Sequence, residues 1–153
     1  MATWVITGAN RGLGLEFAKQ LLAAGHTIIA GVRRPEDMEF RHEHMIVHQL
    51  DVASTTSVEA FAKNVRSSTD SIDVLVNNAG TTTYVSHTGL EGLTPEVWER
   101  TFSVNVFGTF QMVRAAEKPL RASGNGSIVN VGSIAGVAGI GSSIAYAASK
   151  GAL

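Results

Sequence analysis

A short β-branched run that breaks on glycines and passes straight into a helical repeat does most to narrow the fold. "TWVIT", Thr3–Thr7, stops at Gly8, and the glycine turn after it leads into Leu15, Ala18, Leu21 and Leu22 at helical spacing. Gly25 marks the stop of that helix. The alternation then repeats. "TIIAGV" (Thr27–Val32) is a second strand, followed by a charged loop with Arg33, Arg34 and Pro35, and "MIVHQL" (Met45–Leu50) is a third, ending at Asp51. Thr56 and Glu59 read as a capping box for a helix whose Val58, Phe61, Ala62 and Val65 share one face.

The fourth strand, "IDVLVN" (Ile72–Asn77), is nearly all apolar, as expected where a parallel sheet is covered on both faces. Thr94 before Pro95 reads as an N-cap with proline in the first turn. One or two helices then run to about Ser123, with Pro119 expected to kink or break the end. "GNG" (Gly124–Gly126) is a turn, "SIVNVG" (Ser127–Gly132) a fifth strand, and a last helix begins near Ser143. This order predicts an α/β fold, an open parallel sheet with helices on both faces and right-handed crossovers. Residues 1–153 hold no repeat or linker and read as a single domain. The longest irregular stretch, Asn78–Leu93, is expected to be functional on length grounds.

Composition narrows the partners. With 44% hydrophobic and 16% charged residues the chain is built for a buried interior, and its net charge of −1 gives no electrostatic reason to expect nucleic acid or an anionic membrane. The absence of cysteine excludes disulfides, thiolate metal sites and a thiol nucleophile. The strand that begins at Thr3 leaves no room for a leader peptide, so a cytoplasmic location is expected. His42, His44 and His48 lack metal-ligand spacing, and no metal is expected. Trp98 and Phe102, four apart, are expected to be core or interface.

Three segments carry chemistry. Gly8, Asn10, Arg11, Gly12, Leu13 and Gly14 form a turn between strand and helix, where a backbone can approach a pyrophosphate at the helix N-terminus. Its glycine spacing is a variant of the G-x-G-x-x-G fingerprint. "NNAG" (Asn77–Gly80) follows the fourth strand, and "YAASK" (Tyr146–Lys150) follows the fifth, with Ser133 thirteen residues before the tyrosine. In an open parallel sheet all of these gather at the carboxyl edge.

A free tyrosine, with a pKa of about 10, is a poor base near neutrality, and an ammonium one turn away at Lys150 favours its phenolate. Ser133 can hydrogen-bond a carbonyl or alcohol oxygen. Hydride must come from or go to a nicotinamide, because no side chain carries it. At the end of the second strand Arg33 and Arg34 stand where an NAD site usually has an acid, and Arg11 adds a third guanidinium. Guanidinium groups attract a 2′-phosphate, so NADP(H) is expected over NAD(H).

Taken together, "TGANRGLG", Asp51, "NNAG", Asn105, Ser133 and "YAASK" resemble the short-chain dehydrogenase/reductase family, in its single-domain branch, and most of all its carbonyl-reductase and C-factor-like members. The resemblance implies a Rossmann-type doubly wound sheet of five strands in the order 3-2-1-4-5. It implies Tyr146 as acid/base, Ser133 orienting substrate, Lys150 tuning the tyrosine and binding the nicotinamide ribose, and Asn105 supporting a proton relay. Asp51 and Val52 would flank the adenine, with Asn78, Ala79 and Gly80 on the cofactor. The substrate would be a small carbonyl or secondary alcohol, and a complete form would be a homodimer or tetramer.

Family members continue past the tyrosine helix into strands 6 and 7. The expectation is therefore an N-terminal part of an oxidoreductase, with the fifth strand as a bare edge. The alternatives are a short dinucleotide-binding protein without turnover, or an interaction module pairing through that edge.

Overall fold

In the computed structural model, which describes residues 1–153, five parallel strands form one sheet in the order β3-β2-β1-β4-β5. They are β1 (Thr3–Thr7), β2 (Thr27–Val32), β3 (Met45–Gln49), β4 (Val74–Asn77) and β5 (Ser127–Asn130). The helices are α1 (Gly12–Ala23), α2 (Thr55–Ser68), α3 (Pro95–Phe102), α4 (Thr109–Ala122), α5 (Ile134–Ala138) and α6 (Ile144–Gly151). This is the expected Rossmann-type doubly wound architecture. No helix is long and apolar enough to cross a membrane.

Strand alternation sorts the apolar residues into two cores. Val5, its partner Ile29 and its partner Leu75 face α2 and α4, where Val58, Phe61, Met112 and Leu120 close over them. Their neighbours Ile6, Ile28, Ala30 and Val76 point the other way, against Ala18 and Leu22 of α1. Strands loaded on both sides read as the near-continuous apolar runs seen in the sequence.

Four details differ from the sequence reading. The N-cap of α2 is Ser54, whose Oγ accepts from the Ser57 N–H at 3.3 Å, and the helix starts at Thr55. Thr56 and Glu59 are therefore no capping box. The cause lies in the preceding turn, where Asp51 accepts from Ala53 and Ser54 and donates its own N–H to Ser57 Oγ. Pro119 does not break α4, which runs on to Ala122. The residue is buried, and its carbonyl accepts from the Ile72 N–H at 3.2 Å, so packing offsets the bond that proline cannot make.

The strands are also shorter than their apolar runs. Ile72 gives its N–H to that proline carbonyl instead of the ladder, and β5 ends at Asn130, after which the Val131 N–H still donates to the Asn77 carbonyl while its own carbonyl accepts from Lys150 Nζ. Last, the segment after Pro95 is helical throughout but passes through a π-helical stretch, Ser103–Gly108, between α3 and α4. Such wide turns interrupt the α ladder and often sit at functional positions. Asn105 lies inside this one.

Candidate active site

The carboxyl edge of the sheet is organised around Thr7. Its buried Oγ1 accepts from the N–H groups of Asn78 and Ala79, both at 3.0 Å, so the end of β1 holds the first turn of "NNAG". The Asn78 amide reaches back and donates to the carbonyls of Thr7 and Gly8 at 2.9 and 3.1 Å. Gly8 and Gly12 have φ of 69° and 54°, the left-handed region that glycine enters without strain. A Cβ on Gly14 would lie 2.4 Å from Asn78 Nδ2 and 2.5 Å from the Gly8 carbonyl oxygen. Only glycine allows α1 to start this close to the β4 loop.

That start is open. No side chain caps α1, and a Cβ on Gly12 would meet nothing within 4 Å. The first N–H groups of this twelve-residue helix therefore have no side-chain acceptor, the arrangement that receives a phosphate. Asn10 is half-buried beside it, while Arg11 and Leu13 are exposed. These features fit a dinucleotide. At the end of β2, Arg33 and Arg34 are both exposed; Arg33 has no carboxylate partner, whereas Arg34 pairs with Asp37 at 2.6 Å. Asp51 is half-buried, and Val52 turns its side chain into the core against Gly108.

On the other side of Gly80 lies a second polar cluster. A Cβ on Gly80 would sit 3.6 Å from Asn105 Oδ1 and 3.8 Å from Lys150 Nζ, so the glycine marks where these groups converge. Asn105 is buried, and its amide is fully engaged. Its Oδ1 accepts from the Thr81 N–H at 2.8 Å, and its Nδ2 donates to the Thr81 carbonyl and to Ser149 Oγ, both at 2.9 Å. Ser149 in turn donates to the Tyr146 carbonyl. Asn105 therefore ties the loop after β4 to the helix that carries the tyrosine.

Lys150 Nζ donates to the Val131 carbonyl at 2.6 Å and lies 6.0 Å from the centre of the Tyr146 ring. Burial pulls its pKa below the ordinary lysine value of 10.5, because desolvation penalises the ammonium. Two donors of that ammonium remain free of protein acceptors. Helix α6 is capped by Ser143, whose Oγ accepts from the Tyr146 N–H at 3.4 Å. Ser133 caps the short α5, accepting from the Ala135 N–H at 3.2 Å and keeping its own hydroxyl proton to donate. It shares no hydrogen bond with Tyr146; α5 and α6 are brought together instead by Gly136, where a Cβ would meet the Lys150 backbone at 2.6 Å.

Sequence reasoning missed Thr7, Ser149 and Gly136 as parts of this site. Thr7 stood inside a quoted motif but read as the last strand residue. Ser149 and Gly136 carry no local signal, since only their packing partners give them a role.

Comparison with known proteins gives the family. The family profile described as short chain dehydrogenase matches residues 2–153. The ketoacyl reductase 2 assigned to the granaticin polyketide synthase of Streptomyces violaceoruber is 39% identical over 151 residues, covering 96% of this chain and 61% of that protein. Among solved structures, a short-chain dehydrogenase from Streptomyces avermitilis superposes with a TM-score of 0.91 at 32% identity, over 100% of this chain and 58% of that one. An alcohol dehydrogenase from the archaeon Thermococcus sibiricus, solved with 5-hydroxy-NADP, gives 0.89 at 30% identity, over 99% and 66%. The chain thus spans about 60% of the length of the relatives it matches. It belongs to the short-chain dehydrogenase family.

Proposed function

We propose that the chain carries the cofactor site and the proton-transfer site of an NADP(H)-dependent oxidoreductase that interconverts a carbonyl and a secondary alcohol. The observation that carries this reading is the Lys150 ammonium. It is half-buried beside Gly80, anchored on the Val131 carbonyl and set one helical turn from Tyr146 on the same helix.

Tyr146 is the acid/base: its phenol gives a proton to the developing alkoxide in reduction and takes one from the alcohol in oxidation. The neighbouring positive charge favours the phenolate and brings the tyrosine nearer to working pH. Ser133 donates its free hydroxyl proton to the substrate oxygen and holds it for the tyrosine. Asn105 positions Tyr146 through Ser149 and, in this reading, supports the relay that returns a proton to Lys150. A bound NADP(H) supplies or accepts the hydride.

Gly8, Asn10, Gly12, Leu13 and Gly14 cradle the pyrophosphate, while Asn78, Ala79 and Gly80 line the path to the nicotinamide. In this reading the free N–H groups of Lys150 hold its ribose. Asp51 flanks the adenine; Val52 does so through its main chain, because its side chain is in the core. Arg11, Arg33 and Arg34 are offered to the 2′-phosphate, and the 5-hydroxy-NADP bound by the Thermococcus sibiricus relative supports that preference. A homodimer or tetramer accounts for Phe107 and Phe110, which are 59% and 62% exposed.

Turnover and cofactor binding separate the roles. Tyr146→Phe, assayed as NADPH oxidation with a carbonyl substrate, is expected to lower turnover by at least about 100-fold. Cofactor binding, followed by nicotinamide fluorescence, should stay within about twofold. Retained turnover overturns the assignment of Tyr146.

A further inference from the structure

The three guanidinium groups offered to the 2′-phosphate are not equivalent. Arg11 and Arg33 have no carboxylate within ion-pair distance, but Arg34 Nε lies 2.6 Å from Asp37 Oδ2. This pair is held by more than two flexible side chains. Asp37 closes a 3-10 turn over Pro35–Asp37, in which the Asp37 N–H bonds the Arg34 carbonyl and the Met38 N–H bonds the Pro35 carbonyl. Met38 is 1% exposed and roots the turn in the core, while Arg41 Nη2 reaches the Pro35 carbonyl from the far side. The other carboxylates of this loop, Glu36 and Glu39, form no ion pair.

A carboxylate against one of three phosphate-seeking guanidiniums, even in an exposed pair, has two effects of the same sign. It neutralises Arg34 before any ligand arrives, and it sets a negative charge well inside one Debye length of a 2′-phosphate bound there. Neither effect reaches a cofactor that lacks that phosphate. We propose that Asp37 is a specificity-tuning residue that restrains the affinity for phosphorylated dinucleotides by holding Arg34, a proposal that rests on the 2′-phosphate reading given above.

The test is calorimetric titration of NADPH and of NADH into the wild-type chain, Asp37→Asn and the double variant Asp37→Asn/Arg34→Gln. Removing the charge should tighten NADPH about three- to fivefold at low salt, the upper part of the range for an exposed ion pair, and leave NADH within about twofold. The double variant should lose that gain. Asp37→Ser, which keeps a turn-forming residue, serves as a second variant if the amide disturbs the turn, and thermal melts identify that case. NADPH binding that is unchanged or weaker in both single variants, or a gain shared equally by NADH, overturns the role of Asp37. If it comes with a wild-type preference for NADPH, the 2′-phosphate reading survives that failure. A wild-type chain that holds NADH as tightly as NADPH sinks both.

Discussion

Strands β2 and β5 read alike, TIIAGV against SIVN, yet five of the six β2 residues are buried and all four of β5 are exposed. The chemistry of the side chains does not explain this. Strand β2 is flanked by β1 and β3 and covered by α1 and α2, whereas β5 pairs with β4 alone. The two sides of the sheet are held by different forces as a result. The β1–β2–β3 side rests on interdigitated apolar residues. The β5 side rests on discrete polar ties: Asn77 to Asn130 at 2.9 Å, Lys150 to Val131, and Asn105 to Thr81 and Ser149.

The contrast breaks most visibly under truncation of one isoleucine on each side. Ile29→Ala removes a fully buried side chain and should lower unfolding stability by about 2–5 kcal/mol in urea titrations. Ile128→Ala, at a residue 44% exposed, should cost less than about 1 kcal/mol. Equal losses would mean that β5 is as well covered as β2.

The polar side is tested next. Asn105→Ala leaves the Thr81 N–H and carbonyl and Ser149 Oγ without their partner, and should cost about 1–3 kcal/mol by the same titration. Hydrogen exchange should speed up in α6 and in the loop after β4 while β2 stays protected. Uniform acceleration would argue against a local tie.

The opposite edge of the sheet sharpens the comparison through pH. His48 on β3 packs edge-on against Phe61, and burial lowers its pKa from 6.5. Above about pH 6.5 neither state carries the proton. As pH falls below that value the unfolded chain takes it up first, so stability declines until the folded imidazole also protonates. Thermal melts between pH 7.5 and 5.5 should show this slope, and His48→Gln should flatten it.

The smallest effect is expected at the bare edge itself. Val129→Lys, at a 44% exposed position, should change stability by less than about 0.5 kcal/mol while reducing aggregation of the 153-residue chain in light scattering.

Period and punctuation made most of this legible from residues alone. β-branched runs between glycine turns specify strands, and helical spacing of apolar residues specifies the covering face. The helix capped at Ser143 was readable for the same local reason. The candidate site was legible where it is contiguous in sequence, as in the glycine turn, NNAG and the tyrosine–lysine turn.

Long-range contacts set the remainder. The survival of α4 beyond Pro119 goes with the bond from Ile72, and Lys150 reaches the Val131 carbonyl just past the end of β5. The family resemblance singles out Asn105, but its partners Thr81 and Ser149 come only with the fold. Local pattern was enough for the α/β alternation and the sheet's carboxyl edge, because hydrophobic period and backbone freedom are properties of neighbours in the chain. Burial, strand limits and the tie from Lys150 to Val131 came only with packing, because each is a competition for partners that the folded chain alone brings within reach.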